Sequence, residues 1–361
     1  MTHIIERIWK KVNQEERVSK EETLELMNCQ EIIEIGKIAN FIKEKKNGKR
    51  VTYVFNRQIN PTNICVLSCK FCDFATKKNK ENAYAMTLEE ILSQCSQAIN
   101  EVHIVGGLYA EWPFEYYLNI VKTIHENFPQ LQIKAYTAVE IDFFSRREHC
   151  SIKEILLKLK EAGLVCLPGG GAEVFSERVR KALFPFKIGA NRWLEIHQAA
   201  HELGIRSNAT LLYGHIETHE ERIDHMQKLR DLQDKTKGFL SFIPLAFQPG
   251  KGNVTKKQTS SIDDLKTIAI ARIFLDNFDH IKSYWVTMGE ETASMALNFG
   301  ADDLDGTIGE EKIMHAADAK SPSFMAKERL EALIRSAKRN PMERDALYNI
   351  ISEKKEESCA F

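Results

Sequence analysis

Residues 56–75 read NRQINPTNICVLSCKFCDFA. A short extended run at 56–60 is followed by three cysteines within eight residues, Cys65, Cys69 and Cys72. From this point onward β-rich runs alternate with segments of helical period. The runs at 56–60, 102–106, 132–140, 164–167, 207–213, 239–246, 281–288 and 302–308 read as strands. The stretches 87–100, 114–127, 151–162, 192–203, 218–234 and 262–277 between them read as helices. Capping boxes open several of these, at Thr87/Glu90, Ser151/Glu154 and Thr218/Glu221. Repeated strand–helix units imply a parallel sheet with helical crossovers. Seven or eight of them predict an α/β fold of the (β/α)₈ or TIM-barrel type. The rival, an open doubly wound sheet, would carry G-x-G-x-x-G, which is absent.

Outside the barrel, residues 1–50 read as an N-terminal helical extension, with a Ser19/Glu22 capping box. Residues 51–320 are expected to form the barrel, with an extended VTYVFN at its start, and 321–361 read as a C-terminal helical segment. The 361 residues are 43% hydrophobic and 28% charged, which suits one large globular unit. Fifty basic residues balance 51 acidic ones, so nucleic acid is not an expected partner. No run approaches the ~20 apolar residues that span a bilayer, and the N-terminus lacks a signal-peptide pattern. A cytoplasmic enzyme without membrane attachment is expected.

Eight cysteines stand at 29, 65, 69, 72, 95, 150, 166 and 359. Five are scattered and read as isolated reduced thiols. The other three have the spacing C-x₃-C-x₂-C, at the C-terminal end of the first barrel strand, the face where barrel active sites lie. Structural zinc closes with four ligands, often from paired clusters, and no second C-x₂-C is present. A redox pair, Cys69 with Cys72, leaves Cys65 unused. A [4Fe–4S] cluster takes four thiolates when it only carries electrons. With three, one iron is open to a small molecule. Phe71, beside the third cysteine, would shield such a cluster.

This motif on the first β/α loop resembles that of the radical S-adenosylmethionine enzymes. The resemblance implies a [4Fe–4S] cluster on Cys65, Cys69 and Cys72, with S-adenosylmethionine on its open iron. One electron from the cluster then cleaves the C5′–S bond to give a 5′-deoxyadenosyl radical. It also implies that the loop His103-Ile-Val-Gly106-Gly107 binds the methionine amino group. The stretch Tyr213-Gly-His-Ile216-Glu217 resembles the family's adenine loop, with backbone near Ile216 on the base. Glu140, a carboxylate at a predicted strand end, suits a ribose hydroxyl or a substrate. Glu173, after the triplet Gly169 to Gly171, marks close approach of backbone to a bound group.

Longer phrases, among them LPGGGAEVFSERVR, RWLEIHQAAHELGIRSNATLLYGHIETHEERIDH and NFGADDLDGTI, are similar to the aminofutalosine synthases of the futalosine route to menaquinone. The likeness covers about residues 50–345, with Tyr109-Ala110 where His-Pro is expected. It implies addition of the deoxyadenosyl radical to 3-[(1-carboxyvinyl)oxy]benzoate, aryl migration and loss of a carboxyl carbon. The sibling reading is cyclic dehypoxanthine futalosine synthase; an iron–sulfur electron carrier is a third. The reductant would be a flavodoxin or a ferredoxin. An aromatic dianion needs hydrogen-bond donors, and Arg57, Asn60 and Asn63 are the expected ones. Thr137, Tyr213 and Gln248 are expected to line the pocket, whereas His103 is read as structural. His197 and His201 are read as helix residues, because Gln198 stands where H-E-x-x-H has its Glu. The acidic run Asp302 to Asp305 is read as loop solvation and capping, and His215, Glu217 and His219 as hydrogen-bonding loop residues.

Overall fold

The sheet that positions the site is built from short parallel strands, most of them followed by a helix. The computed structural model describes residues 2–351 apart from 252, 253 and 256. Its strands are β1 (Arg50–Val54), β2 (Asn56–Ile59), β3 (Glu101–Ile104), β4 (Gln132–Ala135), β5 (Leu164–Leu167), β6 (Arg206–Tyr213), β7 (Phe239–Ala246), β8 (His280–Ile281), β9 (Asp303–Gly306) and β10 (Asn340–Arg344). Strands β2 to β8 pair in chain order, all parallel, as one seven-stranded sheet curled into a partial barrel. A second parallel sheet has the order β10-β1-β9. Isolated bridges tie the two together, Lys282 to Asp303 after β8 and Gln58 of β2 to Gly309. Residues 303–309 thus occupy the eighth position of the barrel, through irregular pairing.

All four capping boxes read from the sequence are formed, and the helices they open are Lys20–Asn28, Leu88–Ser93, Ile152–Glu161 and His219–Thr236. Three helices, His3–Asn13, Lys20–Asn28 and Ile32–Asn47, precede the barrel. The helix expected over 87–100 ends at Ser93. The expected strand 132–140 ends at Ala135, and a helix, Ala138–Glu148, begins instead. Thr137 and Glu140 make a fifth capping box there, a local signal that overrides the β-rich composition. The expected strand 281–288 shrinks to β8, because Trp285–Met288 forms a helical turn. Among its described residues the tail, read as helical throughout, forms the helix Lys327–Ser336 and then the strand β10. Pro341 is tolerated in β10 because that strand is an edge of its sheet.

The barrel interior is polar. Glu101 of β3 pairs with Lys134 of β4 at 2.5 Å and accepts from the Asn56 amide at 3.0 Å. Lys282 pairs with Asp305 at 2.7 Å and stands 3.7 Å from Asp303. Arg344 of β10 grips Asp303 with two nitrogens, and Thr52 of β1 donates to the same carboxylate at 2.7 Å. Burial alone would raise the Glu101 carboxyl, but Lys134, Arg344 and Lys282 bring it down to about 2. Asp303 is likewise held well below the usual carboxylate range against its burial, first by Arg344 and then by Lys282. Removing one partner of such a buried pair strands the other charge. Arg344→Met is therefore expected to lower unfolding stability by about 3–5 kcal/mol, measured by urea titration. A loss under about 1 kcal/mol would mean that the pair is dispensable.

Candidate active site

Cys65, Cys69 and Cys72 lie on the long loop after β2, and all three face one cavity of about 290 Å³ at the C-terminal mouth of the barrel. The loop is held by its own backbone and by two asparagines. Cys65 donates its N–H to the Thr76 carbonyl (3.0 Å) and Thr76 donates to Asn63 (2.8 Å). The Lys77 ammonium donates to the carbonyls of Cys65, Val66 and Leu67 at 2.8, 3.2 and 3.0 Å. Asn63 donates to the Asn82 carbonyl and accepts from the Tyr84 N–H, while Asn60 donates to the Val105 carbonyl. These two asparagines, expected to hold substrate, instead fasten the loop.

The paired glycines that end β3 have a packing reason. A Cβ on Gly107 would lie 2.2 Å from the Ile64 carbonyl oxygen, and one on Gly106 would lie 2.9 Å from that of Thr62. The Gly-Gly turn therefore lets the cysteine loop lie against β3. Both glycines also line the cavity, as do Thr137, Glu140, Glu173, Gln248 and Phe71. Glu140 accepts from the Thr137 N–H and hydroxyl (2.6 and 2.9 Å) and from the Gly106 N–H (3.3 Å). Burial pushes its carboxyl up to about 7 in spite of these bonds. Gln248 donates to the Thr287 carbonyl at 2.8 Å. Glu173, at φ 50° in the left-handed region, pairs with Lys187 at 2.5 Å. The same ammonium sits 5.3 Å over the Phe71 ring, which packs edge-on against Phe184.

The donor set suits an iron–sulfur cluster. Burial pushes the Cys69 thiol up to about 11 and raises Cys72, while Lys187 works against both shifts. Iron that takes these sulfurs as thiolates supplies the positive charge that burial withholds. The remaining described cysteines, Cys29, Cys95, Cys150 and Cys166, stand free and away from this cavity. Cys359 lies outside the described residues.

Three further expected residues are placed elsewhere. Side chains alternate along β2, so Asn56 and Gln58 face the cavity and Arg57 points to the opposite face, against Gly309. Arg57 is thus corrected from a mouth residue to an outer one. Tyr213 is corrected in the same way: its hydroxyl donates to Asp264 (2.8 Å) of the helix Ser261–Phe274, outside the strands, with Arg222 over its ring. Ile216 does not line the cavity, and its carbonyl accepts from Arg178 at 2.7 Å. Its loop is held by Glu217, which accepts from the N–H groups of Gly214 and His215 and pairs with Arg222. Tyr109, of the Tyr109-Ala110 turn, donates to Glu111 and stacks edge-on with Trp112, away from the cavity. His197 stacks on Trp193 and shares Ser207 with His201, as helix residues do.

Sequence reading missed the interior. His103, Lys134, Asn208, Thr210, Lys282 and Asp305 line the lower cavity. The signal was available. A parallel strand covered on both faces should be apolar throughout, yet NRQI, EVHI and QIKA each carry polar residues at alternate positions. At the rim, Glu311 accepts from the N–H groups of Ile313, Met314 and His315 and from the His315 ring at 2.9 Å.

Comparison with known proteins adds a lineage to this geometry. Residues 59–229 match the family model described as the radical SAM superfamily, and residues 236–357 match the CofH/MqnC C-terminal region. The aminodeoxyfutalosine synthase of Thermus thermophilus is 45% identical over 94% of this chain and 94% of its own. The cyclic dehypoxanthine futalosine synthase of Streptomyces coelicolor is 37% identical over 92% of this chain and 85% of its own. A 5-amino-6-(D-ribitylamino)uracil–L-tyrosine 4-hydroxyphenyl transferase of Methanosarcina barkeri is also 37% identical, over 92% and 88%. Methylornithine synthase shares the fold, with a TM-score of 0.72 and 17% identity over 92% of this chain and 97% of that one.

Two outcomes follow from the site. Gly107→Ala forces the cysteine loop off β3, so reconstituted protein should bind markedly less iron and lose most of its visible absorbance. Full iron loading would contradict the packing role. The hydrogen bond that the His315 ring donates to Glu311 raises its imidazole to about 9. Its contribution is complete below about pH 6.5 and is lost as pH rises through 9. Unfolding measured at both ends of this range should show wild type losing about 1 kcal/mol more than His315→Gln, the ring being partly solvated. Equal losses would contradict the pairing.

Proposed function

The chain belongs to the radical S-adenosylmethionine superfamily and its CofH/MqnC family, and we propose from that premise that it catalyses the aminodeoxyfutalosine synthase reaction. The carrying observation is that, among the three relatives compared above, identity is highest to an aminodeoxyfutalosine synthase, across nearly the whole of both chains. In this reading the enzyme joins the deoxyadenosyl part of S-adenosylmethionine to 3-[(1-carboxyvinyl)oxy]benzoate. The aryl group migrates, one carboxyl carbon leaves as CO₂ or bicarbonate, methionine is released, and 6-amino-6-deoxyfutalosine forms. S-Adenosylmethionine is consumed as a co-substrate.

Each part of the mouth has a task in this reading. Cys65, Cys69 and Cys72 hold the [4Fe–4S] cluster, which when bound supplies the electron that opens the C5′–S bond. Phe71 and Phe184 cover it from solvent on one side. The Gly106-Gly107 turn offers backbone at van der Waals distance to the methionine part of the co-substrate, and Glu140 stands beside it as an acceptor. Lys187, paired with Glu173, keeps a positive charge beside the thiolates; the carboxylate raises that ammonium above the ordinary lysine range although burial opposes it. Val105, Leu212, Ile243 and Leu245 give the cavity apolar walls, which exclude water from a reactive radical. A flavodoxin or ferredoxin would deliver the electron.

The sibling activities share the cluster and differ in the fate of the adenosyl group. Anaerobic incubation of reconstituted enzyme with the enolpyruvyl benzoate, S-adenosylmethionine and a reductant should give a product whose mass includes the adenosyl part. Free 5′-deoxyadenosine as the stoichiometric product would favour the cyclase reading and overturn this one. Cys65→Ala, Cys69→Ala and Cys72→Ala should each reduce turnover to background. Retained activity in any of them would refute the three-ligand cluster.

A further inference from the structure

The lower half of the cavity has no task in the chemistry of the cluster, yet it is lined by polar and charged side chains. We propose that it anchors the carboxylate on the substrate's aromatic ring, with His103, Lys134 and Lys282 as its donors. This rests on the reaction proposed above and names the group by which the substrate is oriented.

Four observations carry the assignment. First, the Nε2 atom of His103 is buried and has no hydrogen-bond partner among the described residues, although the ring lines the cavity. A buried polar atom that the fold leaves unpaired is a place for a ligand to pair with. Burial, with the Lys134 charge adding to it, pushes the imidazole down to about 3, so a neutral ring faces the site. Second, the two ammonium groups are not exhausted. The Lys134 ammonium donates to Glu101 and that of Lys282 to Asp305, and each carries three protons.

Third, two ammonium groups, those of Lys134 and Lys282, face a single carboxylate at the cavity floor. Of the floor carboxylates, Asp305 alone reaches the cavity surface; Glu101 and Asp303 do not line the cavity and are paired beneath it. Asn208, whose carbonyl oxygen accepts from Ser241 at 2.9 Å, turns its amide donors to the same space. Such a surface recognises an anion with several acceptor oxygens. Fourth, the geometry has the right order. His103 lies three residues before Gly106 on the same run of chain, about 10 Å deeper at the rise of a strand. Val105, Leu212 and Ile243 line the same cavity and suit the faces of an aromatic ring. A ring held by its carboxylate at the floor points its enol ether upward, toward the cysteines.

The test uses reconstituted enzyme loaded with S-adenosylmethionine, kept anaerobic and without reductant, so that binding is read without turnover. Isothermal titration compares the enolpyruvyl benzoate with 2-phenoxyacrylate, which lacks only the ring carboxylate. Wild type should bind the benzoate more tightly. His103→Leu should lower that affinity about tenfold or more, the scale of a lost hydrogen bond to a charged group, and leave 2-phenoxyacrylate within about twofold of its wild-type affinity. If His103→Leu fails to load its cluster, Lys134→Arg, which keeps the charge beside Glu101, is the second variant. It should change affinity for the benzoate alone. Equal effects on both ligands, no effect on either, or equal wild-type affinity for the two would overturn the anchoring site while leaving the proposed reaction intact. Wild type that binds neither ligand would overturn the proposed reaction, and the anchoring site with it.

Discussion

Six ionised side chains fill the base of the barrel, and the two sheets depend on their compensating one another. Glu101 and Lys134 come from neighbouring strands of the larger sheet, and Lys282 from its last connection. Asp303, Asp305 and Arg344 come from the smaller sheet. Each charge would be prohibitive to bury alone, so every one fixes the register of a strand that carries its partner. The pairing replaces the ladder that an eighth regular strand would supply. It also keeps the barrel from filling with the layers of branched apolar side chains usual in such folds. The cavity above it is a consequence: long charged side chains meet at the base and leave space over their heads.

On this base the mouth is assembled by close backbone contact. The cysteine loop lies directly on the turn after β3, near enough that only glycine fits at 107. The loop's own carbonyls are gathered by Lys77, and its asparagines bind backbone. Three thiols are thereby presented together to one cavity. The next turn is set by the Thr137–Glu140 capping box, whose carboxylate reaches back to Gly106. The helix start, the glycine turn and the cysteine loop form one connected unit.

Much of this was legible in the residues. Capping boxes and alternating β and α periods give the barrel, because both signals are local. The cysteine spacing singles out three thiols that act together, and all three face one cavity. Two kinds of feature were not legible. The start of the helix after β4 competes with a β-rich run, and only the T-x-x-E signature decides it. The phase of each strand, inward or outward, depends on closure of the barrel. Arg57 and Tyr213 were therefore assigned to the mouth by their position along the chain, although they point outward. For the same reason His103, Lys134 and Lys282 were passed over. A reading by strand phase would have put Gln58, not Arg57, in the cavity.

In the proposed function, Cys65, Cys69 and Cys72 would hold a cluster whose fourth iron is free to take S-adenosylmethionine. Electron paramagnetic resonance of the reduced, reconstituted enzyme reads that iron directly. Addition of S-adenosylmethionine should change the g-values of the reduced cluster, because a new ligand enters its coordination sphere. A spectrum that stays the same on addition of saturating S-adenosylmethionine would contradict an open iron at this cluster, whatever the iron content.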